Sequence, residues 1–190
     1  MDFSGKVVVI TGGGSGIGRG TALEFAKKGA TVIIIGKNKD KLVNALNELK
    51  RYNKSSSCIV CDIKDANNVK ACVNTLLDKY KKVDVLVNNA GIAVYGEFAD
   101  QSFDEIKSVM ETNFFGLVYF CKLIIPIMKK QGHGHIINIS SIVSKIGFPN
   151  VAIYAASKGA VYSFSEVLYY EMKKYGIRVS VVLPGGTRTS

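Results

Sequence analysis

Short apolar runs of strand length alternate with longer segments of helical period along the whole chain. The short runs are nearly continuous in Val and Ile, which is typical of strands buried on both faces of a parallel sheet. The pattern predicts strands at residues 6–11, 31–36, 57–61, 83–87, 135–140 and 177–183, and helices at residues 16–28, 38–52, 65–80, 103–130 and 151–175. This alternation indicates a Rossmann-type α/β fold: a doubly wound parallel sheet of at least six strands in a three-layer αβα arrangement.

The boundaries between these segments carry signals of their own. Ser102 and Glu105 have the spacing of a capping box, in which the two side chains satisfy free amide groups where a helix begins. The connection at 87–101 is long for a strand-to-helix loop, and it follows the carboxyl end of a strand, where doubly wound sheets bind ligands. The sequence contains no linker or repeat, so we interpret residues 1–190 as one domain.

The charge of the chain is high but dispersed. Its 190 residues carry a formal net charge of +10. The Lys and Arg residues fall near the ends of at least five predicted segments, where cations complement the helix dipole. A nucleic-acid-binding protein concentrates such residues on one surface, so we expect no nucleic acid as a partner.

The apolar segments do not predict a membrane protein. The longest stretch, residues 114–128, is interrupted by Lys122 and Pro126 and is shorter than the roughly 20 residues that span a bilayer. Residues 1–10 contain Asp2 and a single run of four apolar residues, unlike a secretory signal. We therefore expect a cytoplasmic protein without a membrane span.

Cysteine and histidine residues do not predict a metal site. Cys58 and Cys61 are three positions apart on a predicted strand, where such residues point to opposite faces, so we interpret them as packing residues. His133 and His135 could face one ligand, but Cys, Asp or Glu ligands are missing nearby in the sequence. We interpret the two histidines as part of a polar turn that enters a strand.

A glycine-rich loop follows the first predicted strand and leads into the first predicted helix. Residues 11–18 read Thr-Gly-Gly-Gly-Ser-Gly-Ile-Gly. Glycines allow the backbone to turn sharply and to approach a diphosphate, whose charge then lies at the amide groups of the helix N-terminus. This position, between a strand and a helix, predicts a nucleotide-binding loop.

Three Tyr–Lys pairs with a spacing of four residues lie in the last predicted helix. They are Tyr154 with Lys158, Tyr169 with Lys173, and Tyr170 with Lys174. Four residues make about one helical turn, so each ammonium group can favour the phenolate form of its neighbour for acid–base chemistry. The first pair begins its helix close to Ser140 and Ser141 at a strand end, whereas the others lie about 22 Å further along the helix. The first pair is therefore the catalytic candidate.

The glycine spacing resembles that of the classical short-chain dehydrogenase/reductase family, whose motif is Thr-Gly-x-x-x-Gly-x-Gly. Further matches follow the later strands, and the resemblance covers nearly all of the chain: Asp62, the Asn-Asn-Ala-Gly sequence at 88–91, Asn113, and Pro184 with Gly185. The resemblance implies an NAD(P)-binding Rossmann domain. The cofactor-binding residues that it implies are Gly12, Ser15, Gly16, Ile17, Gly18, Lys37, Asp62, Ile63, Asn89, Ala90, Gly91, Tyr154, Lys158, Pro184, Gly185, Thr187 and Thr189.

The resemblance also implies the catalytic residues and their roles. The family serine stands thirteen residues before the tyrosine, which selects Ser141 over Ser140. Tyr154 is expected to exchange a proton with the substrate oxygen while hydride passes between nicotinamide and a carbonyl carbon. Lys158 is expected to favour the phenolate and hold the cofactor ribose, Ser141 to polarise the carbonyl, and Asn113 to hold a water that relays protons.

The end of the second predicted strand bears on the choice of cofactor. A ribose-binding carboxylate at this point would select NAD(H). The sequence has Lys37 there instead, which can attract the 2′-phosphate of NADP(H). We therefore predict that the cofactor is NADP(H). The alternative is that Lys37 is only a solvated loop residue that does not contact the cofactor.

The substrate and the assembly are less closely specified. Apolar residues in the loops at 92–101 and 142–153 predict an apolar carbonyl or alcohol substrate: Val94, Tyr95, Phe98, Val143, Ile146 and Phe148.

The family usually has a further substrate-covering segment and a last strand, which we expect this chain to lack. A nucleotide-binding regulatory module without turnover is therefore the alternative function. By analogy with the family, we expect a homodimer or homotetramer whose interface is formed by the predicted helices at residues 103–130 and 151–175.

Overall fold

The computed structural model describes residues 2–186 of the chain. Six strands form one sheet: β1 (Val7–Thr11), β2 (Thr31–Gly36), β3 (Ser57–Val60), β4 (Val85–Asn88), β5 (Gly134–Ile139) and β6 (Ile177–Val182). The helices are α1 (Gly16–Lys27), α2 (Lys39–Leu49), α3 (Ala66–Tyr80), α4 (Phe103–Met110), α5 (Gly116–Gln131) and α6 (Ala152–Lys173). The predicted segments are confirmed, with most boundaries shifted by one to three residues.

All neighbouring strands pair in parallel, in the order β3-β2-β1-β4-β5-β6. The order reverses between β1 and β4, as in a doubly wound Rossmann sheet. Helices α1 and α2 pack on one face of the sheet through a cluster that includes Val8, Ile34 and Leu42. Helices α3, α5 and α6 pack on the other face through a cluster that includes Val9, Phe120 and Val161. The predicted three-layer fold is confirmed.

The helix predicted at 103–130 is confirmed as one helical segment, Phe103–Gln131, but its middle is not α-helical. A π-helical turn at Glu111–Phe115 separates α4 from α5. Asn113 lies in this turn, and its side chain bonds to residues on two other segments. Those partners lie far away in the sequence, so local periodicity could not predict the turn. The capping box that begins α4 is confirmed, since Ser102 and Glu105 bond reciprocally.

The predicted start of the fourth strand at Val83 also needs correction. The side chain of Gln131 bonds to both the amide and the carbonyl of Val83, at 3.0 and 2.9 Å. The backbone of Val83 is therefore satisfied by a side chain, and β4 begins at Val85.

The helical segment Phe103–Gln131 has the length and composition of a membrane span, with a mean hydropathy of 1.3 in its most apolar window. In α5, Phe120, Ile124 and Met128 are completely buried against the rest of the core. Because the core helix of a globular protein meets the same criteria, this composition does not establish a span.

Candidate active site

A cleft of about 770 Å³ opens at the carboxyl ends of the strands. Most of the predicted cofactor-binding residues line it: Gly12, Ser15, Gly16, Ile17, Lys37, Asp62, Ile63, Asn89, Ala90, Gly91, Tyr154 and Gly185. A smaller recess of about 210 Å³ shares several of these residues and adds Lys158 and Pro184. Thr187 and Thr189 lie outside the described residues. The fold thus brings together residues that follow the carboxyl ends of all six strands.

The glycine loop has the close approaches that its sequence predicts. Gly12 and Gly16 adopt left-handed backbone angles, with φ of +66° and +53°. A Cβ on Gly12 would lie 2.9 Å from the Cα of Ala90. Gly18 is buried beneath the loop, where a Cβ would collide with the carbonyl of Gly12 and the side chain of Asn89. Gly18 therefore allows the loop to fold onto α1.

The N-terminus of α1 has the properties of an anion site. Helices α2, α3 and α4 are capped by the side chains of Asn38, Asp65 and Ser102, whereas within the described residues α1 has neither a side-chain cap nor an acidic residue in its first turn. Its first residues line the cleft. Free amide groups with a favourable dipole fit a diphosphate, so the cradle fits a dinucleotide cofactor.

Thr11 joins this loop to the loop after β4. Its Oγ1 accepts hydrogen bonds from the backbone amides of Asn89 and Ala90, at 3.0 and 3.1 Å. The Asn89 side chain donates in return to the carbonyls of Thr11 and Gly12. Sequence reasoning missed the role of Thr11. The available signal was a hydroxyl at the end of an otherwise apolar strand.

Two lysines line the far end of the cleft. The amide of Cys61 donates to the carbonyl of Gly36 at 2.9 Å, which places the ends of β2 and β3 side by side. Lys37 is exposed at the cleft wall. Lys64, which sequence reasoning missed, is partly buried there, and its amide donates to the Asp62 carboxylate at 3.1 Å. This end of the cleft therefore has two cations and one carboxylate among its described lining residues.

Ser141, Tyr154 and Lys158 line the smaller recess together. The Lys158 Nζ lies 5.8 Å from the centre of the Tyr154 ring and donates to the carbonyl of Ile139 at 2.9 Å. Only 4% of Lys158 is exposed, and this burial lowers the pKa of its ammonium group to about 8. Ser140 also lines the recess, but its hydroxyl donates to the carbonyl of Lys158 at 2.8 Å. Ser141 is therefore the better candidate for a hydrogen bond to a substrate.

Asn113 lies behind the cleft wall and is 1% exposed. Its Oδ1 accepts from the amide of Ile92 at 2.8 Å, and its Nδ2 donates to the carbonyl of Ile92 and to Ser157 Oγ, each at 2.9 Å. A Cβ on Gly91 would lie 3.2 Å from Asn113 Oδ1 and 3.3 Å from Lys158 Nζ. Asn113 thus holds the loop that covers Lys158. Its predicted role in holding a water stays a prediction.

The competing Tyr–Lys pairs lie on the outside of α6. Tyr169 and Tyr170 are 45% and 70% exposed, and their rings contact each other with centres 5.2 Å apart. The cleft instead has Tyr154 in its wall. Of the three Tyr–Lys pairs, the structure therefore places Tyr154 and Lys158 at the cleft and the other two tyrosines on the protein surface.

The cysteines and histidines make structural contacts. Cys58 packs with the α1–α2 cluster and Cys61 with the opposite cluster, as predicted for opposite faces. His133 contacts Asp84 at 3.1 Å, and His135 contacts Ser180 at 2.9 Å. Within residues 2–186, His, Cys, Asp and Glu form no group of three or more that could hold a metal ion.

A family model described as short chain dehydrogenase matches residues 6–190. The chain belongs to this family. Dehydrogenase/reductase SDR family member 7B from Xenopus tropicalis is 38% identical over 97% of this chain and 62% of its own length. The 3-oxoacyl-(acyl-carrier-protein) reductase FabG from Chlamydia pneumoniae is 38% identical over 100% of this chain and 77% of its own length. The chain thus spans less than two thirds of the vertebrate relative.

Solved structures of the family share the fold. A short chain dehydrogenase/reductase from Burkholderia phymatum, in complex with NAD, superposes with a TM-score of 0.95 at 30% identity, covering 100% of this chain and 68% of that one. The family that the glycine motif indicated is confirmed. The proteins named in these comparisons include a reductase and a dehydrogenase/reductase that is solved with NAD.

Proposed function

We propose that this chain is an NADP(H)-dependent oxidoreductase that acts on an apolar ketone or aldehyde, or on the corresponding alcohol. The convergence of Ser141, Tyr154 and Lys158 in one recess beside the glycine loop carries the proposal. A nucleotide-binding module has no evident need for these three groups together.

The residues of the recess divide the acid–base work. A bound nicotinamide supplies or accepts the hydride. The Tyr154 hydroxyl donates a proton to the substrate oxygen during reduction and removes it during oxidation. The Ser141 hydroxyl donates a hydrogen bond to the same oxygen as negative charge develops there. The Lys158 ammonium places a positive charge near the phenol, and its low exposure strengthens this interaction.

The cations at the ends of β2 and β3 favour NADP(H). Lys37 and Lys64 line the same end of the cleft, and a 2′-phosphate brings negative charge.

We predict that Lys37→Asp weakens NADPH binding by at least about tenfold and improves NADH binding, because the new carboxylate repels the phosphate and can bind ribose hydroxyls. Fluorescence titration of both cofactors measures this shift. Lys39→Asp, two residues along at the start of α2, is the control. An unchanged NADPH preference in Lys37→Asp would refute the assignment.

The cleft wall near the recess supports an apolar substrate. Ile92, Tyr95, Val143, Phe148 and Val151 line it, with the hydroxyls of Ser108 and Thr112 as polar groups. Of the six predicted loop residues, Tyr95, Val143 and Phe148 are among the described lining residues, whereas Val94, Phe98 and Ile146 are not. Tyr95, Phe98, Ile146 and Phe148 are all more than half exposed. The 3-oxoacyl substrate in the name of the Chlamydia relative agrees with a ketone on an acyl chain.

The decisive assay is NADPH oxidation with a panel of ketones and aldehydes that differ in chain length. We expect turnover to increase with the length of the apolar chain. NADPH binding without turnover of any compound would support the alternative, a regulatory nucleotide-binding module. The same panel with a form of the protein as long as its relatives tests whether a further segment is needed for activity.

A further inference from the structure

Helix α6 carries two buried serines eight residues apart, Ser157 and Ser165. They are 0% and 2% exposed. Eight residues correspond to slightly more than two helical turns, so both side chains project toward the protein interior. A buried hydroxyl needs hydrogen-bond partners, and these partners show what each serine does.

The two serines make the same pair of hydrogen bonds. Ser157 Oγ donates to the carbonyl of Tyr154 at 2.7 Å and accepts from Asn113 Nδ2 at 2.9 Å. Ser165 Oγ donates to the carbonyl of Val161 at 2.6 Å and accepts from Asn138 Nδ2 at 2.8 Å. Each serine thus bonds back along α6 and holds the amide of an asparagine on another element.

The two asparagines lead to different places. Asn138 lies in β5, and its Oδ1 accepts from Asn88 in β4, so Ser165 holds α6 onto the middle of the sheet. Asn113 instead binds both backbone groups of Ile92. Ile92 follows Gly91, where an added Cβ would lie 3.3 Å from Lys158 Nζ. Ser157 therefore connects the catalytic helix to the wall of the recess.

Ser157 adds a third constraint to the orientation of the Asn113 amide, in the same sense as the two bonds to Ile92. A serine hydroxyl has one hydrogen, and that of Ser157 goes to Tyr154, so the group facing Ser157 Oγ must be a donor. The NH2 of Asn113 is held toward Ser157, and its oxygen toward the Ile92 amide. Without the Ser157 hydroxyl, one buried N–H of Asn113 loses its partner, and the amide is held by Ile92 alone.

We propose that Ser157 is a positioning residue that acts through Asn113 to hold the 91–92 loop at its working distance from Tyr154 and Lys158. This role rests on the proposed reaction at Tyr154. Ser157 itself does not react. Its removal should therefore displace the residues that line the recess, and it should leave the binding of the adenosine end of the cofactor unchanged.

Ser157→Ala and Ser165→Ala form a matched pair for the test. Each loses the same two hydrogen bonds, and both should lower the Tm by about 3 to 9 °C. Ser157→Ala should also reduce kcat by about 10- to 100-fold, with the KM for NADPH changed by less than about threefold, because small displacements of reacting groups strongly affect the rate. Ser165→Ala should keep kcat within about twofold of the wild type. Equal kcat values for two equally destabilised variants would overturn the proposal.

A second measurement is independent of activity. The exchange rate of the Ile92 amide, measured by NMR, should increase at least about tenfold in Ser157→Ala and less than about twofold in Ser165→Ala, because only Ser157 supports the Asn113 contact. Equal exchange rates in the two variants would also overturn the proposal. Failure of both this chain and a form as long as its relatives to reduce any of the carbonyl compounds would refute the proposed reaction, while the exchange measurement would still decide whether Ser157 positions the loop.

A double-mutant cycle separates positioning from general stabilisation. If Ser157 acts through Asn113, adding Ser157→Ala to Asn113→Ala should reduce kcat no further, whereas the effects of Ser165→Ala and Asn113→Ala should be additive. Additive effects of Ser157→Ala and Asn113→Ala would contradict the coupling.

Discussion

Lys158 has a positive charge that is almost completely enclosed by the protein. Its ammonium group is held by the carbonyl of Ile139, and its pKa falls to about 8 because burial disfavours the charged form. Burial of a cation without a carboxylate partner costs stability. The same enclosure strengthens the field that the ammonium exerts on Tyr154. Function and stability therefore make opposite demands on this residue.

We predict that Lys158→Met changes how stability depends on pH. The pKa of Lys158 in the folded protein, about 8, lies below the ordinary value of 10.5, so between these values the unfolded chain binds more protons and folding becomes more favourable as pH rises. The wild type should gain about 3 kcal/mol relative to the variant between pH 8 and 10.5. Urea denaturation at both pH values measures this difference. Parallel pH profiles for the two proteins would contradict it.

We predict that Tyr154→Phe keeps the fold and the cofactor site but removes the proton-transfer group. Turnover should fall by about 100- to 10,000-fold, the range of general acid–base catalysis. Steady-state assays and NADPH titration measure the two properties separately. Tyr162→Phe, two turns further along α6, is the control and should retain activity. A fully active Tyr154→Phe would exclude the proposed role.

At the scale of elements, Asp84 holds together the amino ends of three strands. Its carboxylate accepts from the amide of Val7 at 2.8 Å and pairs with Lys6, Lys82 and His133. Its backbone carbonyl accepts from the amide of His135. Burial acts to raise the pKa of Asp84, but hydrogen bonds from Val7 and the three cationic or imidazole side chains lower it to about 2. This contact lies at the edge of the sheet opposite the cleft.

We predict that Asp84→Asn destabilises the protein without altering the chemistry. The folded pKa of about 2 lies below the ordinary 3.8, so the stabilisation by the carboxylate is complete above pH 4 and is lost as pH falls toward 2. At pH 7 the variant should lose about 2 kcal/mol of unfolding free energy, and near pH 2 the difference should become small. Denaturant titrations at the two pH values test this. Asp78→Asn on α3 is a control for the loss of a negative charge.

The elements also show where local sequence patterns stop being sufficient. The strands and most helices follow from local patterns, because a strand buried on both faces is a continuous apolar run, and a helix face that packs on the sheet repeats every 3.6 residues. The π-helical turn at Glu111–Phe115 does not, because it depends on bonds from Asn113 to residues 21 and 44 positions away. The start of β4 likewise depends on Gln131, which is 48 positions from Val83.

At the scale of the whole molecule, large apolar side chains remain exposed on α4, the π-helical turn and α6. Phe103, Phe115, Val167 and Tyr170 have exposed fractions of 90%, 43%, 58% and 70%. Exposed apolar surface of this kind often marks a contact between proteins. These elements are also the ones that family analogy suggests for self-association.

We predict that the protein forms a homodimer or homotetramer through this surface. Tyr170→Glu should shift it toward the monomer, because a carboxylate in an apolar contact must be desolvated. Light scattering after size exclusion measures the mass. Tyr52→Glu is the control, since Tyr52 is 53% exposed after α2, on the other face of the sheet. Identical masses for wild type and Tyr170→Glu would contradict the predicted interface.

The sequence by itself determined the fold class, the glycine loop, the family and the catalytic candidates. These features depend on periodicity and short motifs, which are encoded within a few neighbouring residues. Only the tertiary structure decided which groups surround them: Thr11 between two loops, Lys64 in the same cleft as Lys37, and Ser157 behind Asn113. These arrangements bring together residues that are far apart along the chain, and their geometry depends on the packing of whole elements against the sheet.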